Sequence, residues 1–183
     1  MIPAGYMLKR VTPRPDWIKA ANVVDIWSVS GCVAKEFAPY IDFWKHNGYW
    51  FFDTPEIPLA LAAEHGIDIA ATRMFYYEVF EQQFDDAANV WVGFAPEKSF
   101  GTNVSGPAEK TLAGFDVVTF SVQTSPECSP LSCNNLAETI AVNEHCLLAT
   151  FDEAKTKIEA GDFTDSEPGP FRIFAVYTVP AAD

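Results

Sequence analysis

Two cysteines in one short segment are the residues of this chain best suited to chemistry. They lie in Pro126-Glu127-Cys128-Ser129-Pro130-Leu131-Ser132-Cys133-Asn134-Asn135. The segment falls between a predicted strand end and a predicted helix start, where loops often carry function. A thiol at a helix N-terminus feels the positive end of the helix dipole, which favours the thiolate. Cys128 or Cys133 is therefore the candidate nucleophile. His145 is the nearest histidine in sequence and the candidate base. Glu127 and Asn134 flank the two thiols and are candidate binding groups. The competing reading makes Cys133 a packing residue, because it takes the apolar place that Phe37 fills 96 residues earlier.

The same offset relates Cys32 to Cys128. Two cysteines in matching loops would form a site rim, and Cys32 joins the binding candidates on that ground. A zinc set of Cys128, Cys133, His145 and Cys146 has acceptable ligand types but the wrong spacing, and adjacent residues on a strand point to opposite faces. No metal and no cofactor are expected. Glu78 is a lone acid inside the apolar run Met74–Phe80. Alternation places such a charge either toward solvent or in a functional pocket. His46 and His65 fall near predicted helix C-termini, where a cation is favourable. Glycine-rich nucleotide loops, a serine nucleophile elbow, a zinc-protease helix motif and an EF-hand loop are all missing.

The net charge of the 183-residue chain is −13, with no basic stripe, so nucleic acid is excluded as a partner on electrostatic grounds. The longest apolar run, near Leu59–Ala63, is far too short to span a bilayer. The Met1–Tyr6 start lacks the pattern of a signal peptide, and four cysteines do not make a disulfide scaffold, so a cytoplasmic protein with reduced thiols is expected.

The elements that must position these groups are suggested by an internal recurrence. Phe37, Tyr40, Ile41, Trp44, Asn47, Phe51, Phe52, Thr54 and Glu56 are echoed 96 residues on by Cys133, Leu136, Ala137, Ile140, Asn143, Leu147, Leu148, Thr150 and Asp152. Each run has apolar residues at helical spacing, then Asn, an apolar pair, Thr and an acid. Strands are predicted at Tyr6–Val11, Val23–Val29, Tyr49–Phe52, Met74–Phe80, Asp116–Val122, Cys146–Leu148 and Phe171–Val179, with Asn89–Phe94 as a hairpin partner. Thr54-Pro55 opens one helix that ends at His65-Gly66. Thr150 and Glu153 form a capping box that opens another.

The expected fold is an α+β protein of internally duplicated β-α-β-α-β units packed as a pseudo-twofold pair. Residues 1–95 form the first copy with its N-terminal extension, 96–114 the connection and 115–183 the second copy. The leading functional expectation is an acidic binding or interaction domain that engages a small molecule or a protein at the cleft between copies, with the 123–135 loop contributing. The rival is an enzyme built on Cys128 or Cys133 with His145. Sequence alone leaves the choice between enzyme and binding domain, and the oligomeric state, open.

Overall fold

A computed structural model describes residues 1–30, 35–40, 47–95, 102–119 and 128–180. Eight strands form within them: β1 (Ile2–Arg10), β2 (Thr12–Pro13), β3 (Asp25–Ile26), β4 (Thr72–Val79), β5 (Gln82–Asp85), β6 (Val90–Gly93), β7 (Thr111–Thr119) and β8 (Phe171–Thr178). Three short α-helices accompany them: α1 (Glu56–His65), α2 (Pro130–Cys133) and α3 (Phe151–Glu159). Every strand pairing among the described residues is antiparallel. Six strands make the main sheet. β4 lies between β1 and β8, and β8 lies between β4 and β7. The β5–β6 hairpin joins β8 at Phe171, next to the stretch that β4 occupies. β2 and β3 form a separate two-residue ladder.

The sheet has two unlike faces because side chains alternate along each strand. Tyr6 stands opposite Tyr76, and Tyr76 opposite Tyr177, so these three rings share one face. Leu8 and Met74 pair on that face as well. The other face carries Met7, Lys9, Phe75, Tyr77, Asp116 and Phe174, and loops cover it. Phe51 stacks on Tyr77 with ring centroids 4.6 Å apart, and Trp27 meets Phe75 edge-on at 5.4 Å. α1 buries Leu61 and Ala62, and Gly66 ends it in the left-handed region at φ 64°, its N–H donating to the Ala62 carbonyl. α3 starts as its sequence says: the Thr150 hydroxyl accepts from the Glu153 N–H at 3.1 Å. It buries Ala154 and Ile158. Among the described residues no helix is long and apolar enough to cross a membrane.

The duplicated β-α-β-α-β architecture does not form. The first expected helix is a 3₁₀ stretch, Lys35–Tyr40, which contains Pro39, and residues 41–46 lie outside the described part. The second breaks at Asn134–Asn135, where Asn135 turns left-handed at φ 57°, leaving α2 and a 3₁₀ turn at Leu136–Glu138. Tyr49–Phe52 and Cys146–Leu148 are not strands. Trp50 and Cys146 have φ of 69° and 62°, which interrupts an extended run, and each segment contributes one isolated bridge. Of Val23–Val29 only Asp25–Ile26 pairs, and β6 pairs with β5 instead of β4. The result is an antiparallel sheet with three short helices.

What recurs at 96 residues is a loop. Asn47 donates from Nδ2 to the Ala4 carbonyl at 3.0 Å and accepts at Oδ1 from the Tyr49 and Phe51 N–H groups. Asn143 donates to the Ala113 carbonyl at 2.7 Å and accepts from the His145 and Leu147 N–H groups. Each loop crosses its strand at a glycine of positive φ, Gly5 (137°) and Gly114 (152°). A Cβ at Gly5 would stand 2.6 Å from the Phe51 Cβ, and one at Gly114 would stand 2.8 Å from the Leu147 Cβ. Glycine is required at both crossings because the two backbones touch there.

Candidate functional site

The Tyr6 face of the sheet gathers an acid, two phenols and a cation. β4 places Tyr76 and Glu78 two residues apart, hence on one side, and β8 supplies Tyr177 beside them. The Tyr177 hydroxyl donates to Glu78 Oε2 at 3.0 Å, and the Tyr76 hydroxyl donates to Oε1 at 3.4 Å. The Lys110 ammonium pairs with the same Oε1. That ammonium also stands over both rings, 4.3 Å from the Tyr177 centroid and 4.9 Å from that of Tyr76. The Glu78 side chain retains 16% of its exposure and that of Lys110 30%, so the carboxylate is largely withdrawn from water while the ammonium stays partly open to it. Burial, followed by the hydrogen bond and charge of Glu78, pushes the Tyr177 phenol up to about 12. Burial and then the Glu78 charge raise Tyr76 too. Both tyrosines are therefore neutral donors at physiological pH. A carboxylate with two aromatic faces around one ammonium is an arrangement that recognises organic cations.

A cleft of about 910 Å³ adjoins this cage. Tyr6, Leu8, Leu59, Met74 and Val179 give it apolar walls, and Arg73 and Glu109 are its charged members. Tyr6 links the two spaces, since its ring lies 5.0 Å from that of Tyr76. The segment 102–110 closes one side as a strap. Pro107, Ala108 and Glu109 line the cleft, and Lys110 follows directly.

Beneath the sheet lies a second polar group. Lys9, 1% exposed, donates to the carbonyls of Ser28 (3.1 Å), Val29 (2.6 Å) and Ser30 (3.0 Å). Asp116 Oδ2 accepts from the Val29 N–H at 2.7 Å and from the Ser129 hydroxyl at 2.6 Å. Ser28 donates in turn to Ser129 Oγ at 2.7 Å. Burial pushes the Asp116 carboxyl up to about 6, against the opposing pull of Ser129, Val29 and the Lys9 ammonium. This group ties the 28–30 loop and the head of α2 to the sheet.

The residues expected to be catalytic fall on two segments, the two cysteines at α2 and His145 in the 143–148 loop. Cys133 ends α2 and so stands at the wrong end of that helix for dipole activation, while Cys128 precedes its N-cap Ser129. The Cys133 sulfur is 3.9 Å from Ser30 Oγ and 4.0 Å from Ser132 Oγ. His145 bonds elsewhere: Nδ1 is 2.6 Å from Asp25 Oδ1, Nε2 is 3.6 Å from Glu144, and the ring stacks on Trp27 at 3.5 Å. Asn134 is exposed and donates to Glu167 at 3.3 Å. Cys32 and Glu127 lie outside the described residues. Cys146 is 2% exposed and sits in a loop. Among the described residues, no group of three or more histidine, cysteine, aspartate or glutamate side chains could hold a metal ion.

Of the sequence candidates among the described residues, Glu78 alone falls in the cage. Sequence reasoning missed Tyr76, Tyr177 and Lys110. Tyr76 was legible beside Glu78 from the two-residue period. Tyr177 and Lys110 depend on strand register, which no local pattern contains. Comparison with models of protein families, with curated proteins and with solved structures found no match for this chain.

Proposed function

We propose that this protein is a binding domain for a small organic cation, an amine or quaternary ammonium joined to an apolar body. The single observation that carries the reading is the Lys110 ammonium, held by Glu78 over the rings of Tyr76 and Tyr177. A side-chain cation has there the partners that a ligand cation would need. The neighbouring apolar cleft, at about 910 Å³, is of the size that holds small ligands, and would take the remainder of the molecule. The net charge of −13 favours the approach of a cation. The cysteine-dependent alternative is favoured less, because Cys133 stands at the C-terminal end of α2, where the helix dipole does not favour a thiolate.

Calorimetric titration with benzyltrimethylammonium and with its uncharged carbon isostere, neopentylbenzene, tests the proposal. The cation is expected to bind, and Glu78→Gln to weaken it at least about tenfold, in line with the loss of one charge-assisted contact. Binding of the isostere should be the same in both proteins. Equal affinities for cation and isostere in the native chain would refute the assignment.

A further inference from the structure

We infer that Lys110 is a tethered competitor for the cation cage, so that the free protein holds its own site closed. This inference rests on the cation reading above and adds a regulatory element to it. The root of Lys110 is fixed, because Thr111, the first residue of β7, pairs with Thr178 of β8. The side chain can leave the cage by changing rotamer while β7 remains paired. The strap that precedes it is held mainly by polar contacts. The Asn103 N–H donates to Asp53 Oδ2 at 3.3 Å, and the Tyr6 hydroxyl donates to the Ser105 carbonyl at 2.7 Å. Gly106 passes close over the floor, where an added Cβ would stand 3.2 Å from the Tyr76 hydroxyl. Residues 102–110 are all exposed or half-exposed, and Val104 is the strap residue that packs on the core cluster beneath. Such a segment opens at little cost relative to the sheet below it.

An occupant that must first leave lowers apparent affinity by the fraction of time the site is vacant. Lys110 combines one partly exposed ion pair with two ring contacts, which together correspond to about a tenfold penalty on a competing ligand. Methionine at this position keeps an apolar stem against the tyrosines and removes the charge.

The experiment is calorimetric titration of native protein and Lys110→Met with benzyltrimethylammonium. About tenfold tighter binding by the variant is expected. Reductive methylation of the native protein provides a second readout: modification of the Lys110 amine should be slow in the free protein and accelerate when the probe saturates. Glu78→Gln should accelerate it without probe. Unchanged or weaker binding by Lys110→Met overturns self-occupancy and leaves the cation reading intact. No binding by either protein overturns both. A Lys110 amine that is methylated as fast as exposed lysines in the free protein overturns self-occupancy as well.

Discussion

Asp116 has two oxygens with different surroundings. Oδ2 accepts from Val29 and Ser129, while Oδ1 is buried without a hydrogen-bond partner. The buried Tyr77 hydroxyl also lacks one, and the Asp116 charge adds to the rise of its pKa. An unsatisfied buried oxygen costs most when charged, which is why burial dominates the shift of this carboxyl to about 6. The native state therefore binds the proton more tightly than the unfolded chain, whose aspartates titrate near the ordinary value. Stability from this group is fully present below about pH 4 and is lost as pH rises through about 6. The loss amounts to about 3 kcal/mol by proton linkage. An Asp116→Asn variant carries a neutral amide at every pH and is free of this loss. Urea unfolding of both proteins between about pH 4 and 7 should show the variant gaining about 3 kcal/mol on the native chain as pH rises. A difference that does not vary with pH would show that Asp116 titrates normally.

At the scale of elements, the asparagine-braced loops replace helices as the structures that cover the sheet. Each Asn side chain satisfies three backbone groups, so the loop needs no secondary structure of its own to bury its polar atoms. The cost is contact with the strand at a position without a side chain. Gly114→Ala would set a Cβ 2.7 Å from the Leu148 carbonyl oxygen at φ 152°, and is expected to destabilise by about 3 kcal/mol or more. Gly93→Ala meets nothing within 4 Å and should change stability by less than about 0.5 kcal/mol. Urea melts of the two variants check this, and equal stabilities would place the loop farther from β7.

The same loops explain how far the sequence could be read. β4, β8 and α3 were legible because their signals are local: β-branched and aromatic runs, and Thr150 with Glu153 at capping-box spacing. Phe37 to Trp44 and Cys133 to Ile140 carry helical spacing, yet the described part of the first, Lys35–Tyr40, winds as a 3₁₀ stretch, and left-handed Asn135 cuts the second short. Apolar residues at i, i+3 and i+4 also suit a loop that drops several side chains into one core. The cage was legible only at Glu78, a charge conspicuous in its strand, while Lys110 reaches it through the register of β7 on β8.

Across the whole molecule, β8 joins the two halves of the core. Phe174 and Val176 belong to one buried cluster, whereas Ile173 and Ala175 belong to the other. Neither cluster can lose its packing without exposing the strand that the other also uses, so the protein should unfold as one cooperative unit. Cys146 is the natural probe. It is 2% exposed within the second cluster, and burial, with a smaller contribution from the Asp116 charge, pushes its thiol up to about 12. Both effects suppress its reaction with alkylating reagents in the native state. Pulse alkylation across a urea series, read at the Cys146 peptide by mass spectrometry, should therefore share its midpoint with the loss of far-ultraviolet circular dichroism. If Cys146 were labelled at clearly lower urea than the loss of secondary structure, the 143–148 loop would open independently of the sheet. The bond network of Asn143 and the close contact at Gly114 argue against such local opening, since releasing Cys146 would strip the Leu148 backbone from Phe115 of β7 and the Leu147 backbone from Asn143.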